Sequence, residues 1–208
     1  MILETIPVGP LQCNCYILGC EQTLDALLID PGDDADLILP VLRKHGLNVK
    51  YILTTHAHID HVGDLEAVRA QTGAEALLHE KDLALYQNLP VQAAWLGVKT
   101  PPTSKIDNYV HDKDRLQFGQ HVGEVLFTPG HTQGSVSFYL PEPTGRLFAG
   151  DTIFRRSIGR TDLWGGSFET IIKSIHEKLF SLDDSTIVYP GHGPITTIGE
   201  ERKHNPFI

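Results

Sequence analysis

Residues 54–64 read T-T-H-A-H-I-D-H-V-G-D, three histidines and two aspartates within eleven residues. Imidazole and carboxylate are the donors that borderline divalent metals such as zinc prefer. In an extended segment, side chains two apart point the same way, so His56 and His58 can hold one ion together. Asp60 and His61 are adjacent, project differently, and can serve a second ion beside the first. Isolated histidines are usually surface or core residues, and this chain has eleven. H-x-H-x-D-H is a far more demanding pattern than any of them alone.

Three further residues share the setting of that run. His131 follows Phe127-Thr128-Pro129-Gly130, Asp151 follows Leu147-Phe148-Ala149-Gly150, and His192 follows Ile187-Val188-Tyr189-Pro190-Gly191. Each is a ligand-type residue just past an apolar, strand-like stretch, with glycine immediately before it. A polar turn residue explains any one of them, but the repeated context points to a shared site. Together with His56, His58, Asp60 and His61 they make five histidines and two aspartates. Seven donors exceed one tetrahedral ion and fit two ions that share a bridging carboxylate.

The elements that must position these residues are short and apolar, with turn signals between them. Strands are predicted at Ile2–Ile6, Cys15–Gly19, Ala26–Asp30, Tyr51–Thr55, Glu75–His79, Val122–Thr128, Ser135–Leu140, Arg146–Gly150 and Thr186–Tyr189. Helical spacing is predicted over Asp34–His45, where Pro40 threatens a kink, over Asp60–Thr72, and over Phe168–Phe180 behind an N-cap at Ser167. The proline-containing stretch Pro90–Ser104 reads as a loop or short irregular lid. Sheets packed together and covered by helices, within one α/β domain spanning residues 1–208, follow from this order.

Composition removes several function classes. The 208 residues are 41% hydrophobic and carry a net charge of −9 with histidines neutral. A strongly acidic chain argues against binding nucleic acid or an anionic membrane, both of which need a basic face. No stretch has the length of a membrane span, and MILETIPVGP lacks the pattern of a signal peptide, so a cytoplasmic location is expected. The three cysteines, Cys13, Cys15 and Cys20, are odd in number and do not suggest a disulfide framework. Cys13 and Cys15 form a C-x-C that could bind metal, but alternate buried positions entering a strand are the better reading. The other histidines, His45, His79, His111, His121, His176 and His204, lack a ligand-like context and are expected to be structural or exposed.

The chain resembles the metallo-β-lactamase fold superfamily, and within it the short single-domain branch similar to glyoxalase II, the hydroxyacylglutathione hydrolases. The resemblance rests on Asn14-Cys15-Tyr16, Asp30-Pro31-Gly32, T-H-A-H-I-D-H, T-P-G-H-T, the G-D-T after Phe148-Ala149, P-G-H-G-P, and the ending G-E-E-R-K-H-N-P-F. It implies a four-layer αββα sandwich. It implies two divalent metal ions, zinc first, with iron or manganese as alternatives. His56, His58 and His131 would hold the first ion, and Asp60, His61 and His192 the second. Asp151 would bridge them. The implied chemistry is hydrolysis of a glutathione thioester such as S-lactoylglutathione by a metal-bridging hydroxide that Asp60 helps to orient.

Substrate contacts follow the family pattern less closely. The family lysine nine residues after the bridging aspartate is Arg160 here, suited to a carboxylate. The tyrosines expected nearby are replaced by Asp162 and Pro194. Arg202 and Lys203 are further candidates for an anionic substrate. The expected partner is a small anionic thioester or ester, taken up by a monomer or small homo-oligomer. A rival on the same fold is a persulfide dioxygenase with one iron on His56, His131 and Asp151. A lactonase or other ester hydrolase is another. Zinc β-lactamases mostly place cysteine at the Asp151 position, which counts against that role, and a non-enzymatic metal scaffold would not need all seven donors.

Overall fold

A computed structural model of the chain describes residues 1–141 and 144–208. The chain forms two compact units, residues 1–110 with 117–121, and residues 111–116 with 122–208.

The first unit is a six-stranded mixed sheet. Its strands are β1 (Ile2–Val8), β2 (Cys13–Gly19), β3 (Asp25–Ile29), β4 (Asn48–Leu53), β5 (Glu75–Leu78) and β6 (Asn108–Tyr109), in that order across the sheet. The first three are antiparallel neighbours, and β3 through β6 run parallel. Parallel neighbours need a crossover long enough for a helix. Here α1 (Ala35–His45) joins β3 to β4, while α2 (Ile59–Val62) and α3 (Leu65–Thr72) join β4 to β5. Two more helices, α4 (Leu83–Gln87) and α5 (Leu89–Leu96), precede β6. Strand periodicity sends Cys13, Cys15 and Ile17 of β2 to one face, where they join Leu28 and Ile52. Ile38 and Leu42 of α1 and Leu65 and Val68 of α3 complete this core.

The second unit has sheet order β14-β13-β10-β9-β8-β7. These are β7 (Arg115–Phe118), β8 (His121–Phe127), β9 (Val136–Leu140), β10 (Arg146–Gly150), β13 (Ile187–Pro190) and β14 (Thr196–Thr197), with a small hairpin of β11 (Ile153–Phe154) and β12 (Ser157–Ile158). Both β8 and β10 run antiparallel to β9, and β10 runs parallel to β13. The C-terminal ends of β8, β10 and β13 therefore share one edge. Helix α6 (Phe168–Ser174), a π turn over Ile175–Leu179, and α7 (Ile198–His204) follow. Ile171, Ile175, Leu179 and Ile198 pack on Leu126, Leu147, Ala149 and Val188.

Several predicted elements are corrected. The helix expected over Asp60–Thr72 is broken at Gly63-Asp64. Asp64 donates its amide to the Pro31 carbonyl and its carboxylate accepts the Ala35 amide, so it serves the β3–α1 loop instead of a continuous helix. Pro40 does not end α1. It lies on the exposed side, where water can satisfy the carbonyl that loses its donor. The stretch expected to be irregular from Pro90 begins as helix α5, because Pro90 sits in the first turn, where a missing N–H costs nothing. The helix expected to reach Phe180 turns to π geometry after Ser174, while its predicted cap holds: Ser167 Oγ accepts the Thr170 amide. Among the described residues, no helix is long and apolar enough to cross a membrane.

Candidate metal centre

In the first unit, strands β3 and β4 run parallel, so Asp30 and the Thr54-Thr55-His56 segment leave the sheet at the same edge. The Asp30 amide bonds to the Leu53 carbonyl, and the Thr54 amide and hydroxyl both bond to the Leu77 carbonyl. The start of the histidine run is thus fixed by the sheet itself. His56 and His61 are buried, with ring centroids 4.0 Å apart, and the His56 and His58 rings are 4.9 Å apart. Asp60 Oδ2 lies 3.8 Å from His61 Nε2.

Behind these rings Asp30 acts as a shared anchor. Its Oδ2 accepts from His61 Nδ1 at 2.9 Å and from the Thr55 hydroxyl at 2.7 Å, and its Oδ1 accepts the Thr55 amide at 2.7 Å. Because the Thr55 hydroxyl donates to Asp30, its oxygen is left to accept from His56 Nδ1, 3.1 Å away. Both imidazoles are thereby set with the proton on Nδ1 and the lone pair on Nε2, the tautomer a metal requires. Cys13 Sγ lies 3.5 Å from His61 Nδ1. Burial pushes its thiol up to about 12, against a smaller lowering effect of His61. The apolar reading of the C-x-C thus describes its packing but misses that Cys13 touches a candidate ligand.

In the second unit the shared strand edge brings His131, Asp151 and His192 together. Asp151 Oδ2 lies 3.6 Å from His131 Nε2 and 3.7 Å from His192 Nε2. His131 Nδ1 donates to the Arg160 carbonyl at 2.8 Å, which sets its Nε2 as the lone-pair nitrogen. His131 is buried, whereas the His192 side chain is 27% exposed.

Each unit also presses a glycine onto the backbone of its candidate carboxylate. A Cβ on Gly32 would stand 1.6 Å from the Asp60 carbonyl oxygen, and one on Gly159 would stand 1.8 Å from the Asp151 carbonyl oxygen. Any larger residue displaces the carboxylate's own backbone. Gly63 has ordinary helical φ, and its demand is also steric: a Cβ would meet the Gly32 carbonyl oxygen at 2.3 Å.

The donor set fits a metal ion. Two ligands of a tetrahedral ion, each about 2.0–2.2 Å from it, stand roughly 3.4 Å apart. The 3.6–3.8 Å separations within each unit are close to that and too long for hydrogen bonds. Cys13, His56, His58 and His61 of the first unit, and His131, Asp151 and His192 of the second, all belong to groups of side chains able to hold a metal ion.

The residues read as substrate contacts have other partners. Arg160 makes a bidentate pair with Asp162 at 2.8 Å, which holds the Asp162 carboxyl down at about 2. Arg202 bonds to Asp184 and to the Phe180 and Leu182 carbonyls, and its guanidinium lies over the Phe180 ring. That set of bonds anchors α7 to the 180–184 loop. Lys203 is exposed. Sequence reasoning missed Asp30 and Thr55 as ring anchors, although Asp30-Pro31-Gly32 was a visible motif. It had no means of finding the Arg160 carbonyl, since every residue carries one.

The family model of the metallo-beta-lactamase superfamily matches residues 8–192. The chain is 38% identical to the hydroxyacylglutathione hydrolase GloC of Haemophilus influenzae, over 100% of this chain and 98% of that protein. It is similar in structure to the BLEG-1 B3 metallo-beta-lactamase, with a TM-score of 0.91, 40% identity and 99% of both chains covered. It is likewise similar to TTHA1623 in a di-iron-bound form, with a TM-score of 0.90, 38% identity, and 99% and 100% of the two chains covered.

Proposed function

This chain belongs to the metallo-β-lactamase superfamily and is one of its metallo-hydrolases, and from that premise we propose that it hydrolyses thioesters, with a glutathione thioester such as S-lactoylglutathione as substrate. The observation that carries the reading is Asp151. A single carboxylate oxygen stands 3.6 and 3.7 Å from the Nε2 atoms of two histidines assigned to different ions. Those distances support Asp151 as the ligand that two ions would share, and bridged pairs of ions suit hydrolysis. The end-to-end similarity to GloC supports the substrate class. In this reading His56, His58 and His131 would hold one divalent ion, Asp60, His61 and His192 would hold the other, and Asp151 would serve both. Zinc is the proposed metal, with iron or manganese as alternatives.

A metal pair held by these residues supplies a Lewis acid and a water acidic enough to lose a proton near neutral pH. The chain's own residues do the rest. Asp30, Thr55 and the Arg160 carbonyl hold the Nδ1 protons of His61, His56 and His131, so that each Nε2 presents its lone pair. Hydrolysis forms a C–O bond, breaks the C–S bond and moves one proton from water to the departing sulfur. Asp60, with a side chain 20% exposed, is the proposed carrier of that proton. Arg160 is proposed to meet a substrate carboxylate. Its pair with Asp162 is more than half exposed on both sides, and so weak enough to be exchanged. Lys203 is proposed as a second contact, whereas Arg202 is committed to its loop.

The test is S-lactoylglutathione hydrolysis by purified protein, with metal assayed in the same sample. Turnover at about two metals per chain is expected. Fully metallated protein that leaves the substrate intact would overturn the reading.

A further inference from the structure

The first unit holds a cavity of about 470 Å³, inside the range of about 300–1,000 Å³ in which proteins take small organic ligands. The turn between β1 and β2, the loop before α1, helix α2 and the segment after α5 enclose it. Pro10, Leu11, Ile59, Leu96 and Val98 form apolar walls, and Asp60 also lines it. The cavity thus reaches the residue proposed to carry the proton. Leu11, Leu96 and Val98 are 52%, 40% and 46% exposed. Large apolar side chains gathered at one opening mark a surface that something covers.

The charges on the lining are Asp33, Asp60 and Asp64 against Lys99. Asp33 Oδ1 accepts the Asp34 amide and Asp64 Oδ2 accepts the Ala35 amide, so both carboxylates are held in place by backbone. With Asp60 proposed to face a metal cation, Asp33 and Asp64 still outnumber Lys99 beside the apolar wall.

We infer that this cavity receives the acyl group of the substrate and selects an uncharged, apolar acyl group larger than lactoyl. The inference rests on the thioester reading above. A lactoyl group has three carbons and leaves most of the cavity unfilled. A dicarboxylic acyl group such as succinyl would set its free carboxylate against Asp33 and Asp64. The same repulsion keeps the carboxylates of a glutathione moiety out, which fixes the substrate's direction: acyl group in, thiol moiety away. An apolar pocket discriminates by about 10–200-fold per methylene where the fit is close. This open one is expected to give tenfold or more over several methylenes.

Binding is measured first, by calorimetry on the metal-loaded protein with two thioethers that cannot be hydrolysed, S-methylglutathione and S-hexylglutathione. The hexyl compound is expected to bind about tenfold or more tightly, an advantage well inside that of five buried methylenes. Val98→Asp, at a half-exposed position outside any helix, is expected to bring the ratio of the two affinities back toward one. Equal affinities in the wild-type protein would overturn the proposal whatever the hydrolysis results. Hydrolysis is compared next, with kcat/KM expected to fall from hexanoyl to lactoyl to succinyl glutathione thioesters. Lactoyl turnover without a hexyl preference would sink the acyl cavity and leave the thioesterase reading standing. A hexyl preference without turnover of any thioester would sink the thioesterase reading, and the acyl assignment with it.

Discussion

In the first unit His56 and His61 lean on side chains, whereas in the second His131 leans on a backbone carbonyl. Asp30 and Thr55 hold His61 and His56 from behind, and both reach them from the end of a parallel strand pair. His131 is held by the Arg160 carbonyl, and an oxygen of Asp151 stands near both it and His192. The ligand order differs in the same sense. Four candidate donors of the first unit fall within His56–His61, one short run from the end of β4 into α2, while the three of the second come from three strand ends. Support built from side chains can be deleted by substitution, and support built from backbone cannot. The first unit should therefore be sensitive behind its ligands, and the second at its shared carboxylate.

The largest effect is expected at that carboxylate. Asp151→Ala removes the oxygen shared by His131 and His192, and should lower hydrolysis by about 10³-fold or more, several kcal/mol of transition-state stabilisation. Metal content should fall in the same sample. Retention of both activity and metal would break the bridging assignment.

The next effect sharpens the contrast between side-chain and backbone support. Asp30→Asn keeps the shape but offers an amide where His61 Nδ1 and the Thr55 hydroxyl need an acceptor. Metal affinity should fall about 10–100-fold, the usual cost of losing a ligand's hydrogen-bond partner. Arg160→Ala deletes a side chain but keeps the carbonyl that His131 uses, so metal affinity should stay within about threefold. Competition with a chelator measures both. Equal losses in the two variants would erase the distinction.

The contrast also explains what was legible in the sequence. The contiguous run T-H-A-H-I-D-H declared itself, because every residue in it is of a donor type. His131, Asp151 and His192 were visible only through a repeated setting of apolar stretch, glycine and donor, which the parallel β10–β13 edge makes physical. Asp30 lies 25 residues before Thr55 in sequence, and only the parallel pairing of β3 with β4 makes them neighbours. Gly159 sits inside the basic run R-R-S-I-G-R and drew no notice, because its role is a clash that one-dimensional spacing does not register. Most strands were legible as short apolar runs with turn signals between them. Pro90 misled because a proline within a stretch and a proline at a helix start look alike without the helix boundary.

The two glycines make the units alike, and substituting them tests how far that likeness extends. Gly32→Ala and Gly159→Ala each force a Cβ into the carbonyl of a candidate metal carboxylate. Overpacking of this kind costs about 1–3 kcal/mol, and a chain of this size loses about 2–4 °C of Tm per kcal/mol. Drops of roughly 3–10 °C are expected for both, with weaker metal binding. A variant that keeps its wild-type Tm and metal affinity would show that the local backbone yields freely.

The smallest effect lies away from the metal donors, where each unit has a carboxylate clamp. In the first, Arg69 bonds to both oxygens of Asp107, which also accepts the Ala76 amide; these bonds hold its carboxyl far below the usual carboxylate range. In the second, burial works against the charged form of Asp112. Bonds from Lys178 and the Phe127 amide outweigh it and bring that carboxyl below its ordinary value. A carboxyl depressed on folding stabilises the protein fully above its unfolded pKa of about 3.9, and that share is lost as pH falls through the folded value. Asp107→Asn and Asp112→Asn should each lower the Tm of the metal-free protein by a few degrees at most at pH 7, about 1 kcal/mol or less. The deficit should hold steady down to about pH 5 and shrink below about pH 4, as the wild type loses its own advantage. Asp107 is held down by a bidentate partner with little opposition from burial, so its deficit should persist to lower pH than that of Asp112. Thermal scans of the metal-free variants from pH 7 to pH 3 decide this. A deficit that widens on acidification would mean that the carboxylates stabilise the fold by something other than their charge.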